Sequence, residues 1–250
     1  MKALGMCAAI GLFAAACSAN SGGNNMGDDD APMDAKVYLD APPNVPQMIT
    51  ISGKTTERGL GGETNVAGVT LALYSVSNES TPMTMTTSDA QGNFTLMVTT
   101  MGMPLDGYLL ATKSGYVDLY MYGTGPFIGD FTDANLNMIT PGNKDFLSSL
   151  AGGNQMAGKG LIGLQVRDAS GNPVAGATVS SSPASGSYHY TGSNGLPDSA
   201  ATATSADGVA FMFNVPSGAI TVTATKSGIT FHPHVVKAPA DKMTTTSVTP

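Results

Sequence analysis

The chain of 250 residues carries one ordered set of short motifs twice. The set consists of a Val-Ala-Gly stretch, a Thr/Ser-rich turn that contains glycine, and an Ala-Thr-Lys-Ser-Gly stretch. It occupies 66–71, 87–92 and 111–115 in the first half, and 172–179, 204–208 and 224–228 in the second half. A repeated set in a fixed order predicts two related structural units of similar length.

Each unit alternates strand-like runs with turn residues. In the run Ala219–Thr225, Ile220, Val222 and Ala224 share one parity and threonines share the other, which is typical of a strand with one wet face. The run Leu161–Val166 also alternates, and Asp168–Pro173 supplies the Asp, Gly, Asn and Pro of a turn. The pattern therefore predicts antiparallel β-structure.

The order of these motifs resembles the carboxypeptidase regulatory-like domain. The similarity lies in Pro-Val-Ala-Gly-Ala-x-Val at 173–179, Thr-x-x-Asp-Gly at 204–208 and Asn-Val-Pro-x-Gly at 214–218. It covers 158–250, and 47–125 more loosely, where Gly92-Asn93-Phe94 replaces the Asp-Gly turn. That resemblance implies an all-β fold of two tandem Ig-like, transthyretin-like Greek-key β-sandwich domains of about seven strands each.

The same reading divides the chain into five segments. We expect a signal peptide at 1–16, a flexible tether at 17–46, a first sandwich at 47–122, a partly helical linker at 123–159 and a second sandwich at 160–250. Within the linker we expect one short helix from Asp133 to Ile139 and another from Lys144 to Leu150, with Asn143 as its N-cap. Phe127, Ile128 and Phe131 are too apolar for a free linker, so we expect them to dock.

The N-terminal segment has the form of an export signal. Lys2 is followed by an apolar stretch too short to span a bilayer, and Ala14-Ala15-Ala16-Cys17 resembles a bacterial lipobox. The resemblance implies acylation of Cys17 and a partner in the lipid bilayer, with Ser18 favouring the outer membrane. The alternative is ordinary cleavage after Ala16, which would leave Cys17 as a free thiol. Cys7 leaves with the leader, so no internal disulfide is expected.

Charge excludes one class of partner. The formal net charge is −7, and loss of Lys2 with the leader leaves 10 basic and 18 acidic residues, or −8. Nucleic acid is therefore not an expected partner, because its phosphates require a basic face.

Two aromatic stretches are candidate ligand surfaces. Tyr116, Tyr120 and Tyr122 share one strand parity, and an exposed row of this kind could stack against sugar rings. The alternative is that the row packs against the linker. The polar insertion 181–198 contains Tyr188, His189 and Tyr190, and it is read either as a binding loop or as a mobile surface loop.

Three groups invite a metal interpretation. His232 and His234 lie at strand spacing and could face one zinc ion, but no third ligand is evident nearby. The thioethers of Met83, Met85, Met101 and Met103 could bind copper or fill gaps in a core. Asp28–Asp30 reads as an acidic spacer in preference to a calcium loop. We expect no cofactor.

Catalytic signatures are missing from the sequence. It contains no Gly-x-Ser-x-Gly, no His-Glu-x-x-His and no Cys pair spaced for a metal. The stretch Gly153–Gly160 imitates a nucleotide loop, but Gly160 replaces the Ser/Thr and a strand follows where a helix belongs, so no nucleotide is expected. The sequence predicts a non-catalytic, lipid-anchored envelope protein that acts as an interaction or spacer module. The alternatives are a carbohydrate-binding lipoprotein and a periplasmic metal-handling protein.

Overall fold

The computed structural model describes residues 44–59 and 62–250, which form sixteen strands and one helix. Cys17 and the other predicted features of the leader and tether before residue 44 lie outside the described residues. The elements are β1 (Met48–Gly59), β2 (Gly62–Asn65), β3 (Thr70–Ser75), β4 (Thr84–Thr87), β5 (Asn93–Thr99), β6 (Gly107–Thr112), β7 (Leu119–Tyr122), β8 (Leu136–Met138), α1 (Pro141–Leu150), β9 (Gly160–Val166), β10 (Thr178–Ser182), β11 (Ser187–Thr191), β12 (Pro197–Asp198), β13 (Val209–Val215), β14 (Gly218–Thr225), β15 (His234–Ala238) and β16 (Met243–Val248).

The predicted alternation is confirmed in β14, where the side chains of Ile220, Val222 and Ala224 are buried and the threonines between them face outward. In β5 every second residue is buried and the others are exposed. One face of each of these two strands therefore enters a core, as period-2 patterning requires. The wet face expected for Leu161–Val166 is wrong, because every residue of β9 except Gln165 is buried.

Each half of the chain forms two facing sheets, and we call β1–β8 the first unit and β9–β16 the second unit. In the first unit, β2-β1-β5 with β8 on β1 forms one sheet and β4-β3-β6-β7 forms the other. In the second unit the corresponding sheets are β12-β11-β13-β9-β16 and β10-β14-β15. The all-β class is confirmed.

Corresponding hydroxyls lock the repeated Val-Ala-Gly turn in both units. Thr204 Oγ1 donates to the Val174 carbonyl at 2.7 Å and accepts from the Ala177 N–H at 2.9 Å. Ser88 makes the equivalent two bonds, each 3.0 Å long, within the stretch Val66–Val69. Both hydroxyls are buried, so the repeat in sequence is also a repeat in hydrogen bonding.

A repeated glycine explains why the first unit can lose the Asp-Gly turn. Gly92 and Gly208 have φ of +79° and +68°, which favours glycine. A Cβ on Gly208 would lie 2.5 Å from the Val166 carbonyl oxygen, and one on Gly92 would lie 2.4 Å from that of Thr55. What the two units share at this turn is therefore the glycine, which Asp207 precedes in the second unit and Gln91 in the first.

The two units are joined by one strand pair. β16 pairs in parallel with β9 of its own unit on one side and with β7 of the first unit on the other. One nine-stranded sheet results, in the order β12-β11-β13-β9-β16-β7-β6-β3-β4. We call the β7–β16 pair and the side chains around it the seam.

Buried apolar side chains form two clusters, and each cluster receives residues from both units. The first is built mainly from the first unit but includes Leu161 and Phe213 of the second. The second is built mainly from the second unit but includes Tyr108 and Tyr122 of the first. The seam is therefore part of both cores.

The segment between the units differs from the prediction at its first half. The helix expected from Asp133 to Ile139 is wrong, because Leu136–Met138 is strand β8 and pairs in parallel with β1. Leu136 and Met138 are buried and Asn137 is exposed, a period of two that suits a strand. Phe127 and Phe131 join the first cluster as predicted, but Ile128 is 52% exposed and does not.

The second predicted helix exists but begins earlier. α1 starts at Pro141, with Thr140 as its N-cap in place of Asn143. Thr140 Oγ1 accepts from the Asn143 N–H at 3.2 Å, and proline at the first helical position loses no intrahelical bond. Pro141 therefore marks the start of α1, three residues before the predicted Lys144.

Replacing Thr204 with Val should lower the free energy of unfolding by about 2–6 kcal/mol, because two buried backbone groups lose their partner at ~1–3 kcal/mol each. Thr225→Val, on an exposed part of β14, should stay within about 0.5 kcal/mol of the parent chain. Urea denaturation of both variants measures the difference. Equal stability of the two variants would contradict the role given to the buried hydroxyl.

Candidate functional site at the seam between the units

Backbone pairing and one ion pair define the seam. Met243, Thr244 and Thr245 of β16 lie opposite Leu119, Tyr120 and Met121 of β7. The Met243 N–H donates to the Asp118 carbonyl at 3.1 Å. The Lys242 ammonium lies 2.7 Å from the Asp118 carboxylate, and this bond raises the pKa of Lys242.

A column of aromatic rings crosses the seam. Tyr74, Tyr108 and Tyr122 are direct cross-strand partners on β3, β6 and β7. Their ring centroids are 5.6 Å and 5.1 Å apart, and the His234 ring meets Tyr122 edge-on at 6.1 Å. Such contacts stabilise a sheet by about 0.5–1.5 kcal/mol per pair beyond simple burial. The column thus ties the first unit to β15 of the second.

The hydroxyl of Tyr122 is also engaged. It accepts from the Lys237 N–H at 3.2 Å, on the outer edge of β15. The Lys237 ammonium forms an ion pair with Glu79 of the first unit. Burial raises the pKa of Tyr122, so its hydroxyl stays protonated at neutral pH.

The predicted tyrosine row does not form one exposed surface. Tyr122 is only 5% exposed, so the prediction of a ligand-facing side chain is wrong there. Tyr120 is half-buried and tilts against Tyr108 at 5.5 Å. Tyr116 donates to Glu57 Oε2 at 2.9 Å, and burial followed by this bond raises the pKa of Tyr116. The row is packed, but these contacts are to β6, β1 and β15 and not to the linker that the alternative interpretation named.

The insertion 181–198 is largely strand. Residues 187–191 form β11, which pairs antiparallel with β13, so the prediction of a long polar loop is wrong. Tyr190 is buried, and its hydroxyl accepts from the Val179 N–H at 3.1 Å. His189 is half-buried and meets Phe213 edge-on at 5.7 Å. The alternation of Tyr188 and Tyr190 with Ser187 and His189 was the available signal for a strand.

Tyr188 serves β10 in the same way as Tyr190. Its hydroxyl accepts from the N–H groups of Ser181 at 3.3 Å and Ser185 at 3.0 Å. Burial alone would raise the pKa of Tyr188, but hydrogen bonds from Ser181 and Ser185 outweigh it and lower the pKa. Together with Tyr122, these tyrosines cap the edges of β10 and β15 on the side where the described residues supply no partner strand.

The two candidate zinc ligands differ in how deeply they are buried. His234 is half-buried and its Nδ1 lies 2.9 Å from Thr246 Oγ1, whereas His232 is exposed. Burial lowers the pKa of His234. Within residues 44–59 and 62–250, no group of three or more His, Cys, Asp or Glu side chains is arranged to hold a metal ion.

The methionine pairs lie on the surface. Met83 and Met85 are 43% and 56% exposed, and Met101 and Met103 are 75% and 62% exposed. The gap-filling alternative is therefore wrong for all four.

A cluster of two hydroxyl groups around one carboxylate holds a turn in place. Asp207 Oδ1 accepts from Thr191 at 2.6 Å, Ser205 at 2.8 Å and the Val209 N–H at 3.0 Å. These three donors hold the start of β13. A nucleophilic hydroxyl needs a base that accepts its proton during a reaction. Here the Asp207 carboxylate uses its hydrogen bonds to fix the turn.

Comparisons with known proteins add little to this geometry. No protein-family model matches the chain, and no curated protein matches it. Three similar solved structures are the Bacillus anthracis TIE protein (14% identity, TM-score 0.26, 80% of this chain and 34% of that one), the minor pilin GBS52 of Streptococcus agalactiae (11%, 0.27, 80% and 94%) and the major pilin subunit BcpA of Bacillus cereus (11%, 0.25, 81% and 99%). At TM-scores this low the likeness carries no argument.

A search for membrane-crossing helices gives a negative result. Among the described residues, no helix has the length and apolar character that crossing a bilayer requires.

The lowered pKa of His234 predicts that the free energy of unfolding decreases as the pH is lowered. An unfolded histidine titrates near ~6.5, so below that pH the unfolded chain binds more protons than the folded one. His189 shares this sign, because burial lowers its pKa too. Between about pH 7.5 and 5.5 the free energy of unfolding should decrease, and His234→Gln should flatten the decrease.

Urea denaturation at several pH values tests this expectation. His232→Gln, at an exposed position, is the matched control and should keep the parent slope. A slope that His234→Gln leaves unchanged would show that the seam histidine does not contribute.

Proposed function

We propose that this protein is a non-catalytic, lipid-anchored component of the cell envelope, and that its two β-sandwich units act together as a stiff interaction or spacer module. The observation that carries the proposal is the parallel β7–β16 pair, which makes one sheet of strands from both units. Domains joined only by a linker move relative to each other by default. A shared sheet opposes that motion, because bending at the seam would break backbone hydrogen bonds and expose core side chains.

The burial around the seam supports stiffness. Tyr108 and Tyr122 are 3% and 5% exposed and belong to the cluster built mainly from the second unit. Leu161 and Phe213 enter the cluster built mainly from the first unit. Separating the units would expose these side chains, at about 25 cal/mol for each Å² of apolar surface. The two sandwiches are therefore expected to keep one relative orientation.

The anchoring half of the proposal comes from the sequence. Acyl chains on Cys17 would bury in the bilayer at about 0.8 kcal/mol per CH₂, and a chain rich in Gly, Asn and Asp would hold the sandwiches away from the headgroups. The partners proposed are the lipid bilayer and, at the exposed strands, an envelope protein or glycan. Export to the outer membrane and the kinship with carboxypeptidase regulatory-like domains form part of this proposal.

The absence of catalysis is proposed on the site chemistry. Tyr122, Tyr188 and Tyr190 use their hydroxyls to cap strand edges. Asp207 uses its carboxylate to hold a turn. The polar groups that the sequence singled out are thus occupied in maintaining the sheet, which is what a structural module requires.

Replacing Tyr122 with Ala should uncouple the two units. The parent chain should unfold in one transition, because each core contains residues of both units. Removal of a buried aromatic ring should cost about 3–5 kcal/mol and should split the transition in two. The chain has no Trp, so Phe94→Trp and Phe231→Trp supply one fluorescent reporter for each unit. Tyr116→Ala, outside the seam, should leave the two reporters coincident.

Cys17→Ala should release the protein from the membrane, because acylation requires that thiol. Fractionation of cells that express the parent and the variant, with and without salt washing, measures the association. The neighbouring change Ser18→Ala should keep the protein in the membrane fraction. Membrane association that survives Cys17→Ala would refute the lipid anchor and leave the spacer role to be judged by the unfolding experiment.

A further inference from the structure

Open strand edges are sites where another chain can pair, and proteins usually protect them. Most edges in this protein are protected. β10 and β15 are capped by tyrosine hydroxyls, as described above. β2 and β4 have four residues each, and β12 has two and contains Pro197 and Asp198. β5 is different, because it is a seven-residue edge strand without proline or charge.

The backbone of β5 presents donors and acceptors outward. Phe94, Leu96 and Val98 pair with Gly53, Ile51 and Ile49 of β1. The Asn93 N–H points the other way and is taken by Asp89 Oδ1 at 2.8 Å. Since directions alternate along a strand, the N–H and C=O groups of Thr95, Met97 and Thr99 also point away from β1. Within the described part of the chain, no hydrogen bond reaches these three N–H groups.

The second unit demonstrates what such an edge accepts. β13 corresponds to β5 in the repeat, since each follows the conserved turn glycine and pairs with the first strand of its unit. The outer edge of β13 is covered by β11, an antiparallel strand. In the first unit the strand at the same place in the chain, β4, pairs with β3 instead. The outer edge of β5 is therefore equivalent to the edge of β13 that β11 covers in the second unit.

The outward side chains of β5 itself are uncharged, and exposed methionines lie among and beside them. Met97 of β5 is 60% exposed, and Met48 on the neighbouring strand β1 is 51% exposed on the same face. Met48 lies opposite Thr99, which places it diagonally beside Met97. Met101 follows directly after β5 and is 75% exposed. Three exposed methionines beside an open edge form a surface that pairing would cover.

We propose that a second copy of this chain occupies the edge, with the two β5 strands antiparallel and Met97 opposite its symmetry mate. This pairing places Thr95 opposite Thr99 of the other copy and joins the two β2-β1-β5 sheets into one. It brings no like charges together, because β5 carries none. A two-fold arrangement is self-complementary, so one open edge is sufficient for both copies.

The same edge-to-edge principle already operates inside the chain at the seam, where β7 and β16 of different units pair. A copy offers the same outward groups of Thr95, Met97 and Thr99, which match in an antiparallel pairing. The methionine side chains of both copies would then form one apolar stripe across the joint. The proposal is independent of the spacer function, because it concerns the opposite sheet of the first unit.

Cysteine cross-linking of the full chain in cells tests the pairing. Antiparallel partners that exchange hydrogen bonds have Cα atoms about 5.5 Å apart, within disulfide range. Met97→Cys should therefore give a disulfide-linked dimer in the oxidising envelope. Met48→Cys has similar exposure on the same face but lies one strand further from the axis, so it should form no disulfide-linked dimer. Any bridging through Cys17 would appear equally in both variants.

Sedimentation equilibrium of the detergent-solubilised full chain under reducing conditions gives the second readout. The parent chain should be dimeric, and Met97→Glu should weaken dimerisation at least tenfold by placing two carboxylates opposite each other. Met48→Glu adds the same charge away from the axis and should remain dimeric. A monomeric parent chain, or cross-linking that is equal at positions 48 and 97, overturns the proposal. Unchanged thermal unfolding of Met97→Glu would separate lost pairing from misfolding.

Discussion

The requirement that every sheet edge be satisfied governs this protein. Backbone N–H and C=O groups at the edge of a sheet need hydrogen-bond partners, and each sheet of a sandwich has two such edges. Two units of this kind side by side would present twice as many edges. The chain removes one pair of edges by joining β7 to β16, and the nine-stranded sheet follows from that single pairing.

The tyrosines are best understood through the same requirement. Tyr122, Tyr188 and Tyr190 each place a hydroxyl on an outward N–H group of an edge strand, while their rings fill or flank a core. A tyrosine suits this role because it spans the distance from one sheet to the other and ends in an acceptor. The strand parity that suggested a sugar-binding row reflects sandwich closure at Tyr122.

A module built in this way has a mechanical consequence. Because Tyr108 and Tyr122 leave their own unit to join the other core, neither sandwich is complete at the seam without its neighbour. The orientation of the two units is then set by packing across the seam. A fixed orientation is what the proposed spacer function requires.

Local patterns determined a large part of this structure. The duplication, the alternation in β14, the turn at Asp168 and the glycine of the repeated turn could all be read from the sequence, since each depends on neighbours a few residues apart. The tertiary structure alone decided that Leu136–Met138 is a strand, that residues 187–191 cover β13, and that β16 joins β7. The physical reason is that an edge takes its partner from whichever strand the rest of the fold brings alongside, and that partner is many residues away. Periodicity predicts that a strand has two faces, but it carries no information about what lies at its two edges.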